Sequence, residues 1–425
     1  VSTLVKLRWA PNPESGIPRR DQKGCNYEAY VPDDLVGRSF TFDGTTLADV
    51  SDAEQAIARL NREARGLADT EAVARLLLRA EAVASSRIEG LQIGGRRLLK
   101  AQLQRELADG HADGRATEIL NNIEAMSWAV EHLAEEPLIT VDGLLAVHER
   151  LLAGTSVEQH GGRLRDAQNW IGGSSYNPCT ADFVPPPPEE VPRLMRDLCA
   201  FCNEFDLSPV AQAAVAHAQL ETIHPFVDGN GRIGRALIHV LLRRRGLAPR
   251  VVPPISLVLA TRAGGYVGGL TAWRYAGAAV GPAAAEGVDR WVSFFAAASV
   301  RAVADAERYE QDVREVQDDW RRRVGRVRRD SAVVRLIDAL PGAPIVTVRS
   351  AARLVGRSEQ AVNEAIPTLV EAGVLKQITV GQRGRAFEAP DLLNRFNALE
   401  RQLASPEGDT FTSPPTRVVP VRPQD

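Results

Sequence analysis

The stretch His224-Pro225-Phe226-Val227-Asp228-Gly229-Asn230-Gly231-Arg232-Ile233-Gly234-Arg235 decides the reading of this 425-residue chain. Pro225 disfavours the right-handed α conformation at His224, so the preceding helix stops there and the imidazole is presented from a loop. Gly229 and Gly231 admit positive φ and let a ligand approach the backbone. The loop amides run into the start of a second helix and form an anion nest. Arg232 and Arg235 stand three residues apart and leave the same face of that helix's first turn. Two cations at a helix N-terminus oppose the macrodipole, a conflict that a bound polyanion resolves. Asp228 adds a carboxylate suited to Mg2+. A base, a metal carboxylate, a nest and two arginines are the parts of a nucleotide polyphosphate site without a Walker lysine.

Working outward, the flanking segments read as helix. Ser208 and Pro209 make an N-cap and N1 pair for a helix to Thr222, and another runs from about Arg232 to Arg245. Upstream, Ser51 or Asp52 can cap a helix to about Gly66. A second helix starts near Thr70 and carries Val73, Leu77, Ala80, Ala84, Ile88 and Leu91 on one stripe, with its stop at Gly90 or Gly94–Gly95. Ala116–Leu133, Thr140–Leu152 and Val191–Phe205 continue the pattern. Residues 1–50, with Pro11, Pro13, Pro18 and Pro32, read as an irregular arm with a short strand at Ser39–Phe42. Ala167–Ile171 and Asp182–Val184 flank turn residues and predict a β-hairpin. Val303–Arg329 predicts one long helix, locally basic from Arg321. Val348–Leu354, a turn at Gly356–Ser358 and Glu359–Ala372, then extended Leu375–Val380 and Ala386–Ala389, predict a winged helix–turn–helix. The proline-containing tail from Ser405 predicts disorder.

The chain is thus mainly α. It divides into an N-terminal arm 1–50, N-terminal helices 51–100 and a helical core 101–304 with a hairpin at 161–188. A basic linker helix 305–330, a winged unit 331–404 and the tail 405–425 follow.

Hydrophobic residues at 44% and charged residues at 25% are the balance of a water-exposed globular chain. A net charge of −3 excludes a globally basic nucleic-acid binder. No apolar run reaches the roughly 18 residues of a membrane span, and Val1–Arg20 has no apolar core of a signal peptide. A chain of this size needs no disulfide among Cys25, Cys179, Cys199 and Cys202, and the lone Cys199/Cys202 pair reads as buried thiols, not zinc. The expected location is the cytoplasm. Only four of the 51 cationic residues are lysines, a bias of GC-rich bacterial genomes, so a phosphate site here relies on arginine and backbone amides.

The His224–Arg235 stretch resembles the Fic family signature, H-x-F-x-[DE]-G-N-G-R-x-x-R, at every defined position. The resemblance implies a mostly helical core and transfer of AMP from ATP to a protein hydroxyl. His224 is then the general base, Asp228 the Mg2+ carboxylate and Phe226 a buried anchor. The ATP-binding residues implied are Asp228, Gly229, Asn230, Gly231, Arg232, Ile233, Gly234 and Arg235. Asn230 and the glycine amides hold the α- and β-phosphates, Arg232 meets the β-phosphate and Arg235 the γ-phosphate. Tyr266 falls where the family has tyrosines near the adenine. Ser85-Ser86-Arg87-Ile88-Glu89-Gly90 fits the family's inhibitory pattern, [ST]-x-x-x-E-[GN], which implies that Glu89, with Ser85 one turn before it, pairs with Arg235 and blocks the γ-phosphate position. The hairpin resembles the Fic flap, so Trp170, Ile171, Gly172 and Gly173 would dock an extended target by strand pairing.

The chemistry agrees, since a histidine with an ordinary pKa of about 6.5 can take a proton from an attacking hydroxyl. The expected partners are a target protein, the chain itself through self-modification at Tyr176, and a second copy. One rival is transfer of a phosphate or another nucleotide. The other is a DNA-binding regulator, but Glu359–Ala372 holds Glu359, Glu364 and Glu371 with no Lys or Arg, and Pro367 interrupts it. Arg383 and Arg385, with the arginines of 321–329, remain for phosphate contacts.

Overall fold

Three- and four-residue apolar spacing dominates the chain, and helices dominate the computed structural model, which describes residues 2–12, 17–63, 70–106, 113–380 and 384–395. In chain order the elements are β1 Thr3–Trp9, β2 Cys25–Val31, α1 Gly44–Glu63, α2 Thr70–Ile88, α3 Gly95–Glu106, α4 Gly114–Trp128, α5 Val141–Leu152, α6 Val191–Cys202, α7 Pro209–Ile223, α8 Asn230–Arg244 and α9 Ile255–Thr261. They continue with α10 Ala263–Trp273, α11 Pro282–Val324, α12 Ala332–Ala339, β3 Ile345–Val346, α13 Val348–Val355, α14 Glu359–Glu371, β4 Lys376–Val380 and β5 Gly384–Glu388. None of the described helices is long and apolar enough to cross a membrane. The expected disordered tail and the wing tip with Arg383 lie outside the described residues.

The chain forms two compact units that interleave in sequence. The first holds Val1–Gln55, Glu124–Leu247 and Gly264–Ala297. Its centre is the pair α7 and α8. Every residue from Val210 to Ile223 is buried, and so is every residue from Asn230 to Leu242. A helix enclosed on all sides is a core element, and the alanines at 211, 213, 214, 216 and 218 let neighbours approach closely. Trp291 closes the α7 side by donating its indole N–H to the Ala214 carbonyl at 2.7 Å.

The N-terminal arm is more regular than the prolines suggest. β1 and β2 pair antiparallel from Thr3↔Val31 to Trp9↔Cys25, and Ser39–Phe42 is not a strand. Helix α1 begins ahead of Ser51: Asp43 accepts from the Thr46 amide at 2.6 Å and caps it, so Ser51 and Asp52 are interior residues. At α7, Pro209 takes the first helical position, but the Ser208 hydroxyl accepts no amide.

A disulfide joins Cys25 at the start of β2 to Cys179 in the flap turn. Around it Trp9 meets Trp170 edge to face at 5.4 Å, and the Asn177 carboxamide donates to the Asp21 carbonyl at 2.8 Å. The expectation that this chain uses no disulfide is therefore corrected, because the cross-link fixes a polar surface turn that lacks an apolar core of its own. Disulfides last in oxidising surroundings. Cys199 and Cys202 are free and buried, and burial pushes the Cys199 thiol up to about 12.

The second unit holds Ala56–Ile123, Ala248–Ala263 and Ala298–Asp425. Helix α2 is gripped along its length. The fully buried Glu81 accepts the amide of Ser256 at 2.7 Å, which anchors the start of α9. Asn122 of α4 donates to the Ala82 carbonyl at 2.7 Å and to Ser86 Oγ at 3.0 Å. Strands β3, β5 and β4 form an antiparallel sheet in that spatial order. Helix α3 lies against it, with Leu99 and Leu103 packed on Ile345, Ala386 and Leu393. Arg96 adds a two-pronged bond to Glu388 at 2.9 and 2.6 Å.

The disulfide gives a stability prediction. A cross-link over 154 residues restricts the unfolded chain strongly and is worth about 2–4 kcal/mol. Cys179→Ser should lower the thermal midpoint, and a dithiol reductant should lower the wild-type midpoint to match. Equal midpoints with and without reductant would contradict this.

Candidate functional site

The loop between α7 and α8 joins two fully buried helices, so its backbone polar groups have to be satisfied inside the protein. The chain leaves α7 at His224 with φ 50° and ψ 59°, the one non-glycine residue of positive φ among those described. This left-handed geometry costs about 1–2 kcal/mol for a residue with a Cβ and is held from outside. Arg165 Nε and Asn169 Nδ2 both donate to the His224 carbonyl, at 2.8 and 3.2 Å. The imidazole itself is half-buried.

Phe226 is fully buried and stacked on His148, with ring centroids 3.9 Å apart. Asn230 closes the loop on it. The Asn230 side-chain oxygen accepts the Phe226 amide at 2.8 Å, and Nδ2 donates to the Phe226 carbonyl at 2.9 Å. Both ends of the carboxamide bond the loop backbone, which gives this side chain a loop-building role. Gly229 has φ 85°, and a Cβ there would sit 2.7 Å from Leu151 Cδ2. His148 is pushed down to about 4 by burial, and its Nε2 donates to the Asp228 carbonyl at 3.0 Å.

Asp228 sits at the mouth, its side chain 47% exposed. Its Oδ1 accepts the Gly229 amide at 2.6 Å and its Oδ2 accepts Arg232 Nη2 at 2.9 Å. Arg232 is only 2% exposed, and its Nε and Nη1 have no hydrogen-bond partner. Each polar group buried in that way costs about 1–3 kcal/mol. The start of α8 beside it has no side-chain cap. Guanidinium donors without a protein partner beside a helix N-terminus without a side-chain cap are features that an anion would complement. Among the described residues, no group of three or more His, Cys, Asp or Glu side chains is set to hold a metal. A half-exposed single carboxylate nevertheless suits Mg2+, which takes most of its ligands from phosphates and water.

Arg235 is 1% exposed, and its Nη1 reaches Tyr266 Oη at 3.5 Å. Tyr266 is itself buried, with its hydroxyl 2.9 Å from His217 Nε2. Burial first, and Arg235 next, push His217 down to about 3, so it stays neutral and the positive charge of this layer belongs to Arg235. Tyr266 thus backs Arg235. Ile233 is core, and Gly234 lies against His217, where a Cβ would stand 2.9 Å from Nδ1. Both positions are packed against the core.

The flap is looser than a ladder of paired strands. Its one bridge joins Ile171 and Phe183, because Gly172 and Gly173 turn at positive φ against Asp182 and Thr180 and four prolines follow at 185–188. Trp170 donates to the Ser174 carbonyl at 2.6 Å. In the second unit, Ser85 is buried on α2 and Glu89 is exposed in the turn after it. Arg165, Asn169, His148 and His217 escaped sequence reading. Their partners are backbone carbonyls and rings distant in sequence, and no local spacing marks them.

Comparison with known proteins agrees with this geometry. The model of the Fic/DOC family matches residues 138–242, and that of the Fic/DOC family N-terminal segment matches residues 47–131. Over 152 residues the chain is 34% identical to the protein adenylyltransferase Fic of Drosophila ananassae and 35% identical to that of Drosophila melanogaster. Each match covers 35% of this chain and 29% of the relative, so the chain spans under a third of those proteins. A Fic family protein from Desulfovibrio desulfuricans G20 shares the fold, with a TM-score of 0.50 and 20% identity over 82% of this chain and 97% of that one.

Because His217 is held neutral down to about pH 3 while an unfolded histidine titrates near 6.5, the unfolded chain binds the extra proton between those values. Stability should therefore fall as pH drops below about 6.5. Denaturant midpoints measured from pH 7 to 4 should show that fall, with a shallower slope in His217→Asn. An unchanged slope would move the acid sensitivity elsewhere.

Proposed function

From a chain whose matched segments belong to the Fic/DOC family, we infer transfer of AMP from ATP to a hydroxyl side chain of a protein, restrained by Glu89. The observation that carries this reading is the buried Arg232 with two unpartnered edges at the uncapped start of α8. The names of the curated relatives support it. His224 takes the proton of the acceptor Ser, Thr or Tyr hydroxyl as its oxygen attacks the α-phosphorus. The bond to pyrophosphate breaks, and the charge gathering on the leaving group faces Arg232, Arg235 and the loop amides. Asp228 would hold Mg2+, which neutralises phosphate charge when bound. The flap residues Trp170 to Gly173 would align the target segment.

Glu89 competes with the γ-phosphate for Arg235 in this reading, which rests on the Ser85–Glu89 motif. ATP with a displaced γ-phosphate presents its α-phosphorus badly, and a misplacement of about 1 Å costs on the order of 10²-fold. We read α12 to β5 as a winged helix from its element order. The exposed residues of α14 include Glu359, Gln360, Asn363, Glu364 and Glu371 without a cation, which suits a protein partner better than DNA phosphate.

ATP labelled separately at the α- and γ-phosphates tests the reaction. Label should pass from the α-position to protein, with the exposed Tyr176 as a self-labelling site. His224→Ala should lower the rate by roughly 10²–10⁴. Transfer of γ-label, or full activity without His224, would sink the adenylyl reading.

Glu89→Gly should raise labelling strongly with little change in ATP affinity. Arg235→Ala should stay inactive in that background. Equal labelling by wild type and Glu89→Gly under matched ATP and Mg2+ would remove the inhibitory role.

A further inference from the structure

Arg165 is 4% exposed, and its side-chain hydrogen bonds run to backbone carbonyls. Burial pulls its guanidinium down to about 10, with Glu189 offsetting part of that cost. Its donors point at carbonyls from three segments. Nε donates to His224 at 2.8 Å, Nη1 to Ala167 at 3.0 Å, and Nη2 to Pro186 at 2.6 Å and Ile223 at 3.4 Å. Its own amide donates to the Pro225 carbonyl at 2.9 Å. Ile223 and His224 are the end of α7, where a cation meets the negative pole of the helix. Ala167 and Pro186 are the two legs of the flap.

The residues that follow extend the same seam. Asn169 Nδ2 donates to the carbonyls of His224 at 3.2 Å and Phe226 at 3.1 Å, and Gln168 Nε2 donates to Pro185 at 3.0 Å. One planar fork therefore fixes the peptide plane of the strained His224 and both ends of the flap together. A lysine ammonium has no such fork and cannot span three segments at once.

We propose that Arg165 is a positioning residue that sets the flap in register with His224, so that a docked hydroxyl meets the base. The proposal rests on the adenylyl-transfer reading. Arg165 acts on alignment and not on nucleotide affinity, because its partners are carbonyls, while the anion cradle is built of N–H groups.

The test compares Arg165→Lys with its parent, both carrying Glu89→Gly. Self-labelling at saturating Mg-ATP should fall on the order of 10²-fold, while the Kd for ATP stays within about twofold, since no proposed phosphate donor is altered. Hydrogen exchange should rise together in peptides covering 166–186 and 223–228. An unchanged labelling rate, an ATP Kd that weakens in step with the rate, or exchange rising in one segment alone would overturn the proposal. If Arg165→Lys does not fold, Asn169→Ala, a smaller lesion in the same seam, has to show the same rate-against-affinity split and the same paired exchange. A parent that moves no α-label would defeat the transfer reading instead, and the exchange measurement would still decide whether Arg165 couples the two segments.

Discussion

The carboxamide of Asn230 is the contact on which the site depends. It returns across the loop to bond both the amide and the carbonyl of Phe226. Those groups lie between helices enclosed on every side and have no water to turn to. With them satisfied, Phe226 can seat its ring on His148 and the chain can turn twice through positive φ, at His224 and Gly229. Within the twelve-residue motif, Pro225, Phe226, Gly229, Asn230, Ile233 and Gly234 build the loop and its helix. The proposed reading gives ligand-facing roles to His224, Asp228, Arg232 and Arg235.

Much of this was legible in the sequence because the motif is local. A helix stop at Pro225, a positive φ at Gly229 and two arginines on one turn all follow from spacing alone, while Gly231 lies inside α8 and not in the turn. The sorting of the motif was not legible. Whether Asn230 faces phosphate or backbone depends on where Phe226 lies, and whether Gly234 faces ligand or core depends on His217 from the neighbouring helix. The arm was misread for a related reason. Its prolines mask an alternation in which β1 pairs with a strand beyond them, and a cap at Asp43 outranks the equally good sequence signal at Ser51. The disulfide joins residues 154 apart, a pairing that no local pattern specifies.

The second unit gives the segment around Glu89 a stiff support. Buried polar contacts hold α2 at Glu81, Ala82 and Ser86, the last of these three residues before Glu89. Helix α3, which follows the Glu89 turn, is clamped to the C-terminal sheet by an apolar cluster and by the fork of Arg96 on Glu388. The turn carrying Glu89 is therefore fixed at both ends, and its C-terminal anchor is the small sheet of the last described elements. The proposed competition of Glu89 with phosphate would profit from such fixed ends, since a freely moving side chain would lose its advantage to entropy.

Two buried arginines show how function can be told from architecture in this fold. Arg165 lies at the C-terminal end of α7, where the helix dipole welcomes a cation, and its bonds run to carbonyls. It is satisfied as it stands. Arg232 lies in the first turn of α8, where the dipole repels it, and two of its nitrogens bond to nothing. A fold seeking stability alone would place an acid or a polar cap at that position. The chain instead buries a cation at the wrong pole and leaves its donors open. That arrangement becomes favourable when negative charge arrives from outside, which is why the proposed function puts Arg232 on the ligand and the further proposal makes Arg165 a brace.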